Sequence, residues 1–134
     1  MWLMLQQDQP EDFVLATGIT TRIRDFVIMA FEEVGVELEF EGKDESEVGK
    51  VKSVINNDKV KIGQVVVKVD PRYYRPTEVD LLIGDASKAN EKLNWKPKYT
   101  LAEMVKEMIA SDIEIFKKEQ LLKENGFRIS NQFE

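Results

Sequence analysis

Apolar positions change period several times along the chain, and each change marks an element. Residues 13–17 (FVLAT) form a continuous run closed by Gly18 and too short for a helix, which predicts a buried strand. Ile23, Phe26, Val27, Ala30, Phe31 and Val34 then recur at helical spacing, one apolar stripe of an amphipathic α-helix. Thr20 or Thr21 is placed to cap its start, and Gly35 to close its end. Val36, Leu38 and Phe40 alternate with Glu37, Glu39 and Glu41, the mark of a half-buried strand.

From 42 to 63 the chain turns polar, with only scattered aliphatics such as Val48, Val51, Val54 and Ile55, and a turn at Asn56, Asn57 and Asp58. This predicts a long surface excursion holding at most a weak hairpin. Residues 65–69 (VVVKV) are a β-branched strand. In the following DPRYYRPTEVDLLIGD, Pro71 and Pro76 break any regular element. Ala86, Ala89 and Leu93 line a short helix that ends at Asn94, Trp95 and Pro97. Thr100 and Glu103 form a capping box for a long amphipathic helix through Leu101, Met104, Val105, Met108, Ile109, Ile113 and Phe116, stopped at Gly126. Both methionines are expected in the core, and the tail to residue 134 is expected to be loosely ordered. Three or four helices and three short strands make a mixed α/β chain, without the parallel sheet and crevice of a complete nucleotide-binding fold.

A length of 134 residues predicts one domain. The net charge of −6 argues against binding to nucleic acid through phosphates. No Cys and no His are present, which removes disulfides, thiolate chemistry, Ser-His-Asp triads and most transition-metal sites. A metal site would have to be built from carboxylates; the calcium-loop pattern is missing, and no metal site is assigned. The N-terminal MWLMLQQDQP has an apolar run ending at Leu5 and no basic region before it, so neither a signal peptide nor a membrane span is expected, and a cytoplasmic location is. MWLMLQQ looks like the end of a helix whose beginning is missing, a first hint that Met1 is not a natural domain start.

The chemistry left falls to Tyr, Lys, Arg, Asp, Glu, Ser and Thr. Glycine-rich dinucleotide or phosphate loops are missing, and so is Tyr-x-x-x-Lys, because Tyr73, Tyr74 and Tyr99 are followed four positions on by Thr77, Glu78 and Glu103. The densest candidate is the loop carrying Arg72, Tyr73, Tyr74, Arg75 and Glu78. Pro76 holds Arg75 extended, its planar fork suits a phosphate, and the Glu78 carboxylate can accept from two ribose hydroxyls. The competing expectation is that Arg75 and Glu78 simply pair with each other or with surface partners. Arg24, in the first turn of the predicted helix, is the second candidate, because helix N-termini after a strand and Gly attract phosphate. The competing expectation there is a pair with Asp25 or Glu32. The acidic segment from Glu32 to Glu47 is expected to be a solvated face.

The segments QPEDFVLATG (9–18), IRDF (23–26), VDPRYYRPTEVDLLIGD (69–85), KLNWKP (92–97) and LLKENGF (121–127), in that order, resemble the C-terminal portion of the GDP-mannose 4,6-dehydratases of the extended short-chain dehydrogenase/reductase family. The resemblance covers nearly the whole chain. It implies that residues 1–134 are a sugar-nucleotide substrate-binding lobe, truncated at its N-terminus, whose Rossmann lobe is absent. That missing lobe would carry NADP and every catalytic residue, so neither catalytic nor cofactor-binding groups are assigned here. The complete enzyme would be a lyase and a homo-oligomer. It would oxidise the mannose at C4, eliminate water across C5–C6 and return the hydride to C6, giving GDP-4-dehydro-6-deoxy-mannose. The resemblance places Arg24 and Arg75 near the nucleotide phosphates and Glu78 at the ribose. Arg22 departs from the family pattern, standing where a small Ser or Thr is usual, and Asn94 stands where Gly is usual. The alternatives are a fragment of another sugar-nucleotide reductase or epimerase, or a non-enzymatic interaction module.

Overall fold

The computed structural model describes residues 1–75 and 81–127. Among them, three α-helices and one three-stranded antiparallel sheet follow in the order α1 (Ile23–Glu32), β1 (Val36–Glu41), β2 (Val48–Val54), β3 (Val65–Lys68), α2 (Ser87–Leu93) and α3 (Leu101–Glu124). Short 3-10 turns lie at Met4–Gln6 and Asp44–Ser46.

Strand β2 is the middle of the sheet, between β1 and β3. Its register against β1 runs from Val36 opposite Val54 to Glu41 opposite Val48, with an irregularity between Glu37 and Leu38. That irregularity lets Val36, Leu38 and Val51 share the buried side despite the odd step. These three side chains form the core, and Val27 and Phe31 of α1 pack against it with Val34, Phe40, Val54, Val60, Val66 and Val67. On the outer side Glu37 pairs with Lys52 and Glu41 with Lys50. Alternation in β1 therefore reads straight into the fold: aliphatics inward, carboxylates outward.

Gly35 makes the corner between α1 and β1. Its φ is +73°, and a Cβ there would meet the Ile55 carbonyl oxygen at 2.2 Å. Its own carbonyl accepts from the Ile55 N–H at 2.7 Å, so only a residue without a side chain closes the helix at this distance. At the far end of the chain α3 begins with the expected capping box, Thr100 accepting from the Glu103 N–H and Glu103 accepting from the Thr100 N–H. It ends in a Schellman turn, with the Gly126 and Phe127 N–H groups donating to the Lys123 and Leu122 carbonyls at 3.0 Å. Asn94 closes α2 in the left-handed region, φ 49°, and Ala89 and Leu93 are buried as the pattern requires.

Several expectations fail, each for a physical reason. Residues 13–17 are not a strand. No described strand lies beside them, and a run without a hydrogen-bonding neighbour cannot become a ladder; Val14 and Leu15 stay exposed. The run is held instead from its polar end. Glu11 accepts from Lys92 at 2.5 Å, Lys88 donates to the Asp12 carbonyl at 2.9 Å and lies over the Phe13 ring at 5.1 Å. Neither Thr20 nor Thr21 caps α1. Arg22 is the N-cap residue, without a side-chain bond, while Thr20 donates to the Leu82 carbonyl at 3.3 Å. The polar stretch 42–63 is not simply a surface excursion, since it contains the central strand β2 with Val51 fully buried. A strand flanked on both sides needs few apolar residues if lysines fill its outer positions, which hides it in composition. Met104 and Met108 are not core: they are exposed, as are Phe116 and Leu121, whereas Val105 is buried. The 24 residues of α3 span about 36 Å and the 10 residues of α1, against which α3 packs, only about 15 Å. The apolar stripe is longer than the surface offered to it. The tail from 128 to 134 lies outside the described residues.

Replacing Val51 by Ala removes two buried carbons' worth of contacts at the middle of the sheet. Urea unfolding should show a loss of roughly 2 kcal/mol. Ile62→Ala, at a position 73% exposed, should change the midpoint little; equal effects of the two would contradict this core.

Candidate functional site

Arg24 sits in the first turn of α1, where the positive end of the helix dipole disfavours a cation. Two contacts hold it there. Its Nη2 donates to the Glu47 carboxylate, and its guanidinium lies over the Phe40 ring, 5.5 Å from the centroid. Neither Asp25 nor Glu32 is the partner that sequence proximity suggests. The side chain of Glu47 is 21% exposed and that of Arg24 47%, so the pair is anchored from the sheet side and the cation faces outward.

The sequence builds this arrangement in steps. Phe40 ends the inward alternation of β1 and stands opposite Gly49 of β2. A Cβ on Gly49 would come within 3.1 Å of the ring and 3.0 Å of Val67; glycine therefore leaves the ring its place over the sheet. Glu47 follows the tight turn Asp44–Ser46. Gly42 enters that turn at φ +89°, where a Cβ would meet the Ser46 carbonyl oxygen at 2.5 Å. The Ser46 hydroxyl then donates to the Lys43 carbonyl at 2.7 Å.

The second candidate loop meets the same turn. Arg72 donates from Nε and Nη2 to the Asp70 carboxylate, at 3.1 and 2.7 Å to Oδ2, and lies over the Tyr73 ring at 5.5 Å. Its charge is balanced within its own turn. Tyr74 is half-buried; burial first, then the negative charges of Asp44 and Glu45, push its hydroxyl above the ordinary tyrosine value of 10.0. Arg75 is exposed. Glu78 lies outside the described residues. The structure thus brings Arg24 and the Tyr74–Arg75 segment to one acidic turn.

Sequence reasoning missed Glu47, Phe40, Gly49 and the Tyr74–Asp44 contact. Glu47 is 23 residues from Arg24, beyond any helical or hairpin spacing, and the only hint was a short acidic turn bracketed by Gly42 and Gly49. Two cavities lie elsewhere. One, of about 390 Å³, is bounded by Gly18, Gly84, Asp85 and Trp95. The other, of about 870 Å³, is walled by Ile19, Ile23, Phe26, Tyr99, Leu101 and Met104. Neither is lined by Arg24 or Arg75.

A mixed α/β chain with a small antiparallel sheet fits part of a sugar-nucleotide enzyme. The family model described as GDP-mannose 4,6 dehydratase matches residues 1–108. The chain is 50% identical over 131 residues to GDP-mannose 4,6-dehydratase of Yersinia enterocolitica, covering 96% of this chain and 35% of that protein. It is 48% identical over 131 residues to GDP-mannose 4,6-dehydratase of Vibrio cholerae. It is 50% identical over 117 residues to human GDP-mannose 4,6 dehydratase, covering 87% of this chain and 29% of the human one. The chain belongs to the GDP-mannose 4,6-dehydratase family, and it spans about a third of the length of these relatives.

The Tyr74 contact is open to titration. Asp44→Asn removes one of the negative charges that disfavour the phenolate, so Tyr74 should ionise at lower pH, although burial keeps part of the elevation. Near-ultraviolet absorbance titration would follow it, with Tyr74→Phe assigning the step. An unmoved step would separate Tyr74 from this turn.

Proposed function

We propose that this chain is the substrate-binding part of a GDP-mannose 4,6-dehydratase, which converts GDP-mannose to GDP-4-dehydro-6-deoxy-mannose. What carries the reading is close to 50% identity along nearly the whole chain to relatives about three times its length. Arg24 and Arg75 take the phosphates and Glu78 the ribose. Arg24 suits this role physically. One nitrogen and one face of its guanidinium are fixed, and a guanidinium held in place loses less entropy on meeting an anion.

NADP belongs to the complete enzyme and does not fit these residues. The described sheet is antiparallel, with no strand-to-helix turn of the parallel kind, and the sequence has neither a glycine-rich loop nor Tyr-x-x-x-Lys. The missing part is a Rossmann lobe. Apolar side chains left exposed in this chain, such as Val14, Leu15, Ile19, Ile23 and Leu82, would give it a docking surface. The complete enzyme acts in the cytoplasm as a homo-oligomer. Among the described residues, no helix is long and apolar enough to cross a membrane.

Calorimetry tests the division of labour. The isolated chain should take up GDP-mannose weakly and NADP not at all; strong NADP binding by this chain would overturn the proposal. In an enzyme restored with the other lobe, Arg75→Ala should weaken substrate binding by roughly 1.5–3 kcal/mol, and an unchanged affinity would remove Arg75 from the site.

A further inference from the structure

The segment between β1 and β2 is acidic, and its composition suggests nothing more than a solvated face. The structure uses it differently. Glu47, the less exposed partner, binds a single nitrogen of Arg24, Nη2, from the side of the sheet. Phe40 covers one face of the guanidinium. Among the described residues, Nε and Nη1 of Arg24 take no hydrogen bond, so the remaining donor edge is offered outward. The turn leading into Glu47 is stiff: Gly42 and Asp44 both have positive φ, +89° and 55°, and Ser46 ties back to Lys43 at 2.7 Å.

We infer that the turn leading into Glu47 is a positioning bracket for the nucleotide's phosphates, in which Glu47 aims the guanidinium of Arg24. The inference rests on the nucleotide reading above and goes beyond it, because it assigns a role to an acidic residue that would itself repel a nucleoside diphosphate. An anion beside an anion-binding site weakens binding by its charge and strengthens it by the hydrogen bond that orients the cation. The two effects are separable by substitution. Glu47→Gln keeps an acceptor for Nη2 and removes the charge. Glu47→Ala removes both.

The experiment is a GDP titration of the full chain, followed by the Nε–Hε signals of Arg24 and Arg75 in NMR spectra, with Arg24→Ala assigning the first. Wild type should show a resolved Arg24 signal that shifts with GDP. Glu47→Gln should keep that signal and bind GDP at least as tightly. Glu47→Ala should lose the resolved signal and bind roughly three- to tenfold more weakly. A Glu47→Ala chain that binds GDP as well as wild type, or keeps its Arg24 signal, overturns the bracket. GDP that moves neither arginine in wild type counts against the nucleotide reading itself, and the Arg24 signal in Glu47→Ala then decides by itself whether Glu47 orients the cation. Circular dichroism of each variant separates these outcomes from unfolding.

Discussion

Antiparallel pairing of β1 with β2, sealed by Val36, Leu38 and Val51, is the constraint from which the other placements follow. Packing α1 on that sheet through Val27 and Phe31 fixes where the helix begins, and with it Arg24. The same register sets Phe40 opposite Gly49 and sends the chain through the turn that carries Glu47. A guanidinium at a helix N-terminus would otherwise be unfavourable. Here one core supplies the helix start, the aromatic face and the carboxylate that together hold it.

Outside this core the chain buries little. Among the described residues the buried hydrophobic side chains are Val36, Leu38, Val51, Ala89, Leu93 and Val105. That is a small set for the described part of the chain. Val14, Leu15 and residues 81–83 are apolar and exposed, and the two segments approach each other, since a Cβ on Gly84 would meet Ala16 at 2.6 Å and Thr20 bonds the Leu82 carbonyl. Strand-forming sequence without a ladder and a long helix with a half-used apolar stripe express the same imbalance. In the proposed enzyme the missing two-thirds of the length covers this surface.

Much of the fold was legible wherever local pattern and tertiary environment agree. Alternation in 36–41, the stripe of α1, the capping box of α3, and Gly35, Asn94 and Gly126 as closures were all readable, because each depends on a few neighbouring residues. Strand β2 was hidden because its lysines answer glutamates on β1, a long-range pairing that local composition cannot display. The FVLAT run shows the reverse: its strand propensity is plain, and its partner is not among the described residues. Of the site, Arg24 and the Arg72–Arg75 loop could be singled out from residue type and position. Glu47 could not, because its role exists only through the fold of the sheet.

The most direct test of the account is a chimera. The matching third of the Yersinia enterocolitica relative would be replaced by this chain, and the purified protein assayed for conversion of GDP-mannose to its 4-dehydro-6-deoxy product. The account predicts a folded enzyme that turns over GDP-mannose, because the grafted part supplies the substrate's phosphate and ribose contacts. A chimera that folds and binds NADP yet fails to take up GDP-mannose would contradict it.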